Sequence, residues 1–226
     1  MAVAWLAMPT TAPTPRVRVR RAPKRAVYDH ERIHAILDEA IFCHVGFVCD
    51  GQPYVIPTLH ARVGDVVYLH GSTASRMVRT LAAGAQCALT VTLLDGIVLA
   101  RSAFHHSANY RSVTVLGRAA LVTSADERLR ALRAFTDQLV PGRWEHVRPP
   151  SAKELKGTQV LALSLDEAAA KVRTGPPVDD DEDMGRDVWA GVLPLALEVS
   201  DPRPDPKLAG GIAVPEHVTG WTASRR

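Results

Sequence analysis

The chain has 226 residues, of which 46% are apolar, and its 27 Lys and Arg exceed its 24 Asp and Glu by a net +3. An apolar share of that size supports a packed core and excludes a chain disordered throughout. So small a net charge gives no argument for nucleic acid, and no apolar run reaches the roughly 18 residues that a membrane-spanning helix needs.

The three cysteines, Cys43, Cys49 and Cys87, have neither metal-ligand spacing nor the density of a disulfide scaffold. Reduced thiols in a cytoplasmic protein are therefore expected. The first fifteen residues hold a short apolar run without the basic flank of a secretory signal.

Taken in chain order, residues 1–23 are Pro-rich and aperiodic, and read as a flexible or loosely docked arm. Arg16, Arg18, Arg20, Arg21, Lys24 and Arg25 crowd this end. Asp29 then stands as an N-cap before a helical pattern in which Ile33, Ile36, Leu37, Ala40 and Ile41 share a face. From Cys43 the period changes to that of strands. Asp50-Gly51, Gly64-Asp65 and Asp95-Gly96 each lie between β-rich runs and predict tight hairpin turns. At least six strands follow, with two helices between them. One helix occupies 75–83. The other opens on the capping-box pattern Ser124 to Glu127 and carries Leu129, Leu132, Phe135 and Leu139 on its apolar face. The fold class is mainly β with flanking helices, an antiparallel sheet curled into a barrel. The barrel domain is expected over 24–175. Residues 176–226, with the acidic run Asp179 to Asp183, are expected to form a mostly irregular extension packed on the barrel or on a partner.

The stretch "VVYLHGSTASRMVRTLAAG" carries the chemistry. A strand ends at His70-Gly71, three hydroxyls follow, and Arg76 and Arg79 open a helix. Unpaired N–H groups at a helix start favour an anion, small hydroxyls let the backbone approach it, and a guanidinium can grip phosphate bidentately. A bland reading, in which Ser72 or Ser75 merely caps the helix and the arginines are surface residues, stays open. Neither a P-loop nor G-x-G-x-x-G occurs. A second polar triplet, Tyr110, Arg111 and Ser112, enters a strand where it could face a ligand. His44, His60, His70, His105 and His106 suggest no ligand pattern, and no metal is expected.

The segments "KRAVYD", "LHGSTASR", "SANYRSVTVLGRA", "AAAKVRTGPPVDDDED" and "WAGVLPL", in that order, resemble the FMN-binding split barrels of the pyridoxamine 5′-phosphate oxidase-like superfamily. Within it, the chain is most similar to the branch that includes the nitroimidazole-resistance flavoproteins. The likeness spans about Arg20 to Pro194. It implies an antiparallel split β-barrel, homodimeric, with FMN at the interface. It further implies that Pro57, Thr58 and Leu59 line the flavin ring. His70, Ser72, Ser75 and Arg76 would hold the phosphate, and Arg111 and Ser112 would reach the cofactor from a second strand. Lys24 and Arg25 match a basic entry segment, and Lys171 and Trp189 match motif positions without an assigned task. The substrate-phosphate residues of true pyridoxamine phosphate oxidases have no counterpart in the tail, which offers only His217, Arg225 and Arg226.

An FMN-dependent oxidoreductase acting on a small organic molecule is the leading expectation, without nucleic-acid or membrane partners. Tyr110 and His70 are candidate proton donors. The alternatives are a flavin-binding accessory or sensor protein without turnover, or a relative that places haem or a deazaflavin in the same groove.

Overall fold

A computed structural model describes residues 11–224. Part of the expected N-terminal arm and the terminal Arg225 and Arg226 lie outside the described residues. The chain forms β1 (Ala26–Val27), α1 (His30–Glu39), β2 (Phe42–Cys49), β3 (Gln52–Leu59), β4 (Ala61–Val63) and β5 (Val66–Ser72). It continues through α2 (Arg76–Ala82), β6 (Gln86–Leu99), β7 (Ser107–Arg118), β8 (Ala120–Leu121) and α3 (Ala125–Leu139). It closes with α4 (Ala152–Gly157), β9 (Thr158–Ser164), β10 (Ala168–Arg173), β11 (Gly191–Pro194) and α5 (Glu216–Ser224).

Every strand pairing is antiparallel. One sheet runs β1, β10, β7, β6, β2, β3, with β11 added on β6; the other runs β4, β5, β9, β8. Period-2 alternation decides which side chains meet between them. Cys43, Val45 and Phe47 of β2 and Leu89 and Val91 of β6 turn inward, as do Val67 and Leu69 of β5 and Leu161 and Leu163 of β9. The two sheets therefore share one core. Helix α1 adds Ile33, Ile36 and Leu37 to it, and α2 adds Met77, Val78 and Leu81.

The alternate side of the second sheet is also apolar. Tyr68 and Val160 pack there with Ala131 and Phe135 of α3. A third small cluster seats Val17 and Tyr28 against Ala169. Beside it, Thr14 donates to the Glu167 carboxylate at 2.6 Å, and Arg16 pairs with the same group.

Several local readings hold in the structure. Asp29 accepts from the Arg32 amide and caps α1, and Ser75 caps α2 through the Val78 amide. The Asp50-Gly51 turn has φ of 53° and 75°, as a type I′ hairpin requires. The Asp95-Gly96 hairpin does not form. That dipeptide lies inside the 14-residue β6, at a register shift against β7. Neither residue has positive φ, and β11 pairs along the other edge. The glycine is needed there for closeness, because an added Cβ would meet the Leu193 carbonyl at 3.0 Å.

The capping box expected at α3 is only half made. Ser124 accepts from the Glu127 amide, but the Glu127 carboxylate accepts from the Tyr68 hydroxyl at 3.0 Å. The complete box stands at Ser151 and Glu154 of α4. On α3, Leu129 and Leu139 are exposed in the single chain, and Ala131 and Phe135 carry the packing. The acidic run is also less solvated than its composition suggests. Asp179 accepts from the Arg101 backbone and guanidinium at 2.8 and 3.0 Å, and Asp183 pairs with Arg186.

Candidate functional site

The residues singled out from sequence fall into several separate places. At the end of β5, Ser72 accepts from the Ala74 amide, Ser75 caps α2, and Arg76 lies with its guanidinium 4.5 Å from the centre of the Tyr54 ring. Arg76 and Arg79 border a cleft of about 370 Å³ with Cys49 and Asp50. The guanidinium over the Tyr54 ring is a cation–π contact, which helps to fix the Arg76 side chain. The helix-capping reading of Ser75 is therefore correct, and it coexists with two guanidiniums facing one cleft.

His70 does not stand with them. Strand alternation turns it to the α3 side of the second sheet, where its ring meets Phe135 edge-on at 4.3 Å. There it borders a cavity of about 510 Å³ whose walls are Leu59, Leu132, Leu139, Trp144 and Val147, with Arg148 alongside. The His70 Nδ1 is buried without a hydrogen-bond partner, and burial lowers the imidazole pKa, so the ring is neutral near pH 7. Arg148 is held by Glu154 through two contacts of 2.8 and 2.7 Å. Sequence reading misses Trp144, Val147 and Arg148. Their segment, "GRWEHVRPP", has no helical or strand period, and only the fold brings it over His70.

Ser112 and Lys171 occupy a third place. They are paired across β7 and β10, and Ser112 donates to the Lys171 carbonyl at 3.3 Å. Both line a small cleft with Arg16 and Arg18, and Lys24 borders the neighbouring one beside Tyr28. Burial lowers the pKa of Arg173, and the nearby Arg25 lowers it further. Arg111 points elsewhere: it is clamped by Glu39 and Asp95, its Nη2 lying 2.8 and 2.7 Å from them. Those two carboxylates push its pKa further upward. Tyr110 lies opposite Leu94 and Arg173 in the sheet register.

Trp189 occupies a fourth place. Its ring covers Gly191 at the start of β11 and is 64% exposed. Pro57 and Thr58 sit on β3, the edge strand of the larger sheet, opposite His44 and Cys43. Around them Phe42, Val48 and Val55 are exposed apolar side chains.

The profile described as pyridoxamine 5′-phosphate oxidase matches residues 29–172. The chain belongs to the pyridoxamine 5′-phosphate oxidase family. Among solved structures, it is similar to the flavocytochrome Anf3 from Azotobacter vinelandii, at 46% identity over 92% of this chain and 97% of that one, with a TM-score of 0.88. It is also similar to an FAD and haem binding protein from Mycobacterium smegmatis, at 39% identity over 87% and 96%, TM-score 0.83. A candidate 5-nitroimidazole antibiotic resistance protein from Bacteroides thetaiotaomicron matches at 22% identity over 65% and 86%, TM-score 0.55, which is a likeness of fold. A comparison with curated proteins found no match. The split-barrel assignment from sequence therefore stands, while the nitroimidazole-resistance likeness is the weaker one. Among the described residues, no helix is long and apolar enough to cross a membrane.

Proposed function

We propose that this protein is a redox flavoprotein that holds a flavin at the face of a homodimer and a haem in the cavity between β5 and α3. The observation that carries the haem is His70: a neutral, half-buried imidazole with an unpartnered Nδ1, beside a cavity walled mostly by apolar side chains, with Thr136 and the Arg148–Glu154 pair at its border. Its volume of about 510 Å³ lies within the range of cofactor pockets. Neutral imidazole is the form that binds iron, and the apolar walls would keep water from the metal. Arg148 also borders the cavity, with its guanidinium held by Glu154. The relatives at 46% and 39% identity, one a flavocytochrome and one an FAD and haem binding protein, support the same reading.

For the flavin, Ser72, Ser75, Arg76 and Arg79 are assigned the phosphate end. The exposed apolar surface of β2 and β3, with Pro57 and Thr58, is assigned the ring and the dimer contact. FAD is preferred to FMN on the strength of the Mycobacterium smegmatis relative. Arg111 is assigned to holding α1 against the bulge in β6, since Glu39 and Asp95 occupy its donors. A bound flavin and haem would together supply two-electron uptake and one-electron release. The chain's own part is to keep His70 neutral and to exclude water around it.

The visible spectrum of the purified protein tests this. Flavin bands together with a haem Soret band are expected, and mass spectrometry of the released cofactor distinguishes FAD from FMN. His70→Ala should lose the Soret band and keep the flavin bands. A Soret band unchanged in that variant refutes the assignment.

A further inference from the structure

His30 and His34 are four residues apart on α1, and so project from one side of the helix. Their ring centres are 5.9 Å apart. Between the rings lies Asp65, from the turn that joins β4 to β5. Its Oδ1 is 3.2 Å from His30 Nδ1 and 3.0 Å from His34 Nε2. One donor atom from each residue lies within 4.8 Å of the others.

We propose that His30, His34 and Asp65 form a binding site for a late first-row divalent cation of the Zn²⁺ class, which fastens α1 to the β4–β5 turn. Zinc–ligand bonds of about 2.0–2.1 Å place neighbouring ligands of a tetrahedron about 3.3 Å apart. The two contacts to Asp65 already have that span. Two imidazoles and one carboxylate suit zinc and its neighbours better than Mg²⁺ or Ca²⁺, which prefer oxygen donors.

Both supports are fixed before any ion arrives. Asp29 caps the helix beside His30, and Ile33, Ile36 and Leu37 anchor its inner face in the core. Gly64 takes φ of 58° in the turn, and the Asp65 carbonyl accepts from the Leu165 amide at 2.9 Å. Arg62, the nearby cation, is spent on Asp38 and the Gly64 carbonyl. The side chains of His30, His34 and Asp65 are 61%, 23% and 63% exposed, so an ion can enter and water can complete its shell. A hydrogen-bonded His–Asp–His triad without a metal is the competing account, and it predicts no selectivity among cations.

The test uses untagged full-length protein with its copurified cofactors, first dialysed against a chelator. Calorimetric titration with ZnCl₂ should give one equivalent bound, MgCl₂ should give none, and Zn²⁺ should raise the melting temperature. His34→Ala and Asp65→Asn, both at partly exposed positions, should each weaken Zn²⁺ binding at least tenfold and abolish the melting shift. His146→Ala, which removes a member of the separate His146–His217 stack, should change neither. No stoichiometric Zn²⁺ binding, or binding that survives both ligand variants intact, overturns the proposal. Neither result depends on whether haem is bound.

Discussion

At the scale of single residues, burial sets the chemistry more than residue type does. His60 and His70 are both lowered in pKa by burial, yet their settings differ. His60 is fully enclosed and donates from Nε2 to the Leu37 carbonyl at 2.9 Å, whereas His70 borders a cavity. The linkage sign is unambiguous. A histidine whose folded pKa lies below its ordinary 6.5 binds fewer protons folded than unfolded. Stability is therefore full above about 6.5 and falls as pH drops through that value towards the folded pKa. Denaturation midpoints measured from pH 7.5 to 5 should fall in the parent protein. They should fall less steeply in His60→Gln, with His70 contributing the remainder in the same direction. An equal slope in parent and variant would remove His60 from the account. The thiol of Cys43, pushed up to about 12 by burial, stays protonated throughout and adds nothing to this slope.

Elements follow local rules where a few neighbouring residues settle the matter, and depart from them where a third strand intervenes. Asp50-Gly51 makes its hairpin because β2 and β3 are consecutive partners and nothing else competes for the turn. Asp95-Gly96 has the same signal and becomes a bulge, since β6 already pairs with β7, β2 and β11. Gly51→Val places a β-branched residue at φ of 75°, which should cost about 1–2 kcal/mol and lower the melting temperature by several degrees. Calorimetry checks it; an unchanged midpoint would mean that the turn relaxes to another type. The α3 box shows the same contest on a smaller scale, with Glu127 drawn from its own helix start to the hydroxyl of Tyr68.

For the whole molecule, the decisive feature is an apolar surface left uncovered in the single chain. Val55 on the edge strand β3 is 65% exposed, with Phe42 and Val48 exposed on the neighbouring strand. An open edge strand carrying apolar side chains invites a partner. Under the proposed dimer, Val55→Asp should halve the mass found by light scattering and weaken flavin binding, with little change in the circular dichroism of the fold. A parent protein that is already monomeric with flavin bound would contradict that interface.

The sequence by itself determined the alternation of strands, the caps of α1 and α2, the Asp50-Gly51 turn and the hydroxyl–arginine stretch after β5. These depend on residues within a few positions of one another, so chain order is enough to read them. Only the tertiary structure decided that His70 parts company with Ser72 and Arg76, that "GRWEHVRPP" walls its cavity, and that Arg111 answers to Glu39 and Asp95. The spacing of His30 and His34 is legible in the sequence, although the expectation of no metal is drawn from His44, His60, His70, His105 and His106; the fold adds Asp65. That carboxylate stands more than thirty positions along the chain, and side chains so far apart become neighbours through the pairing of sheets and the packing of helices, which leave no local signature.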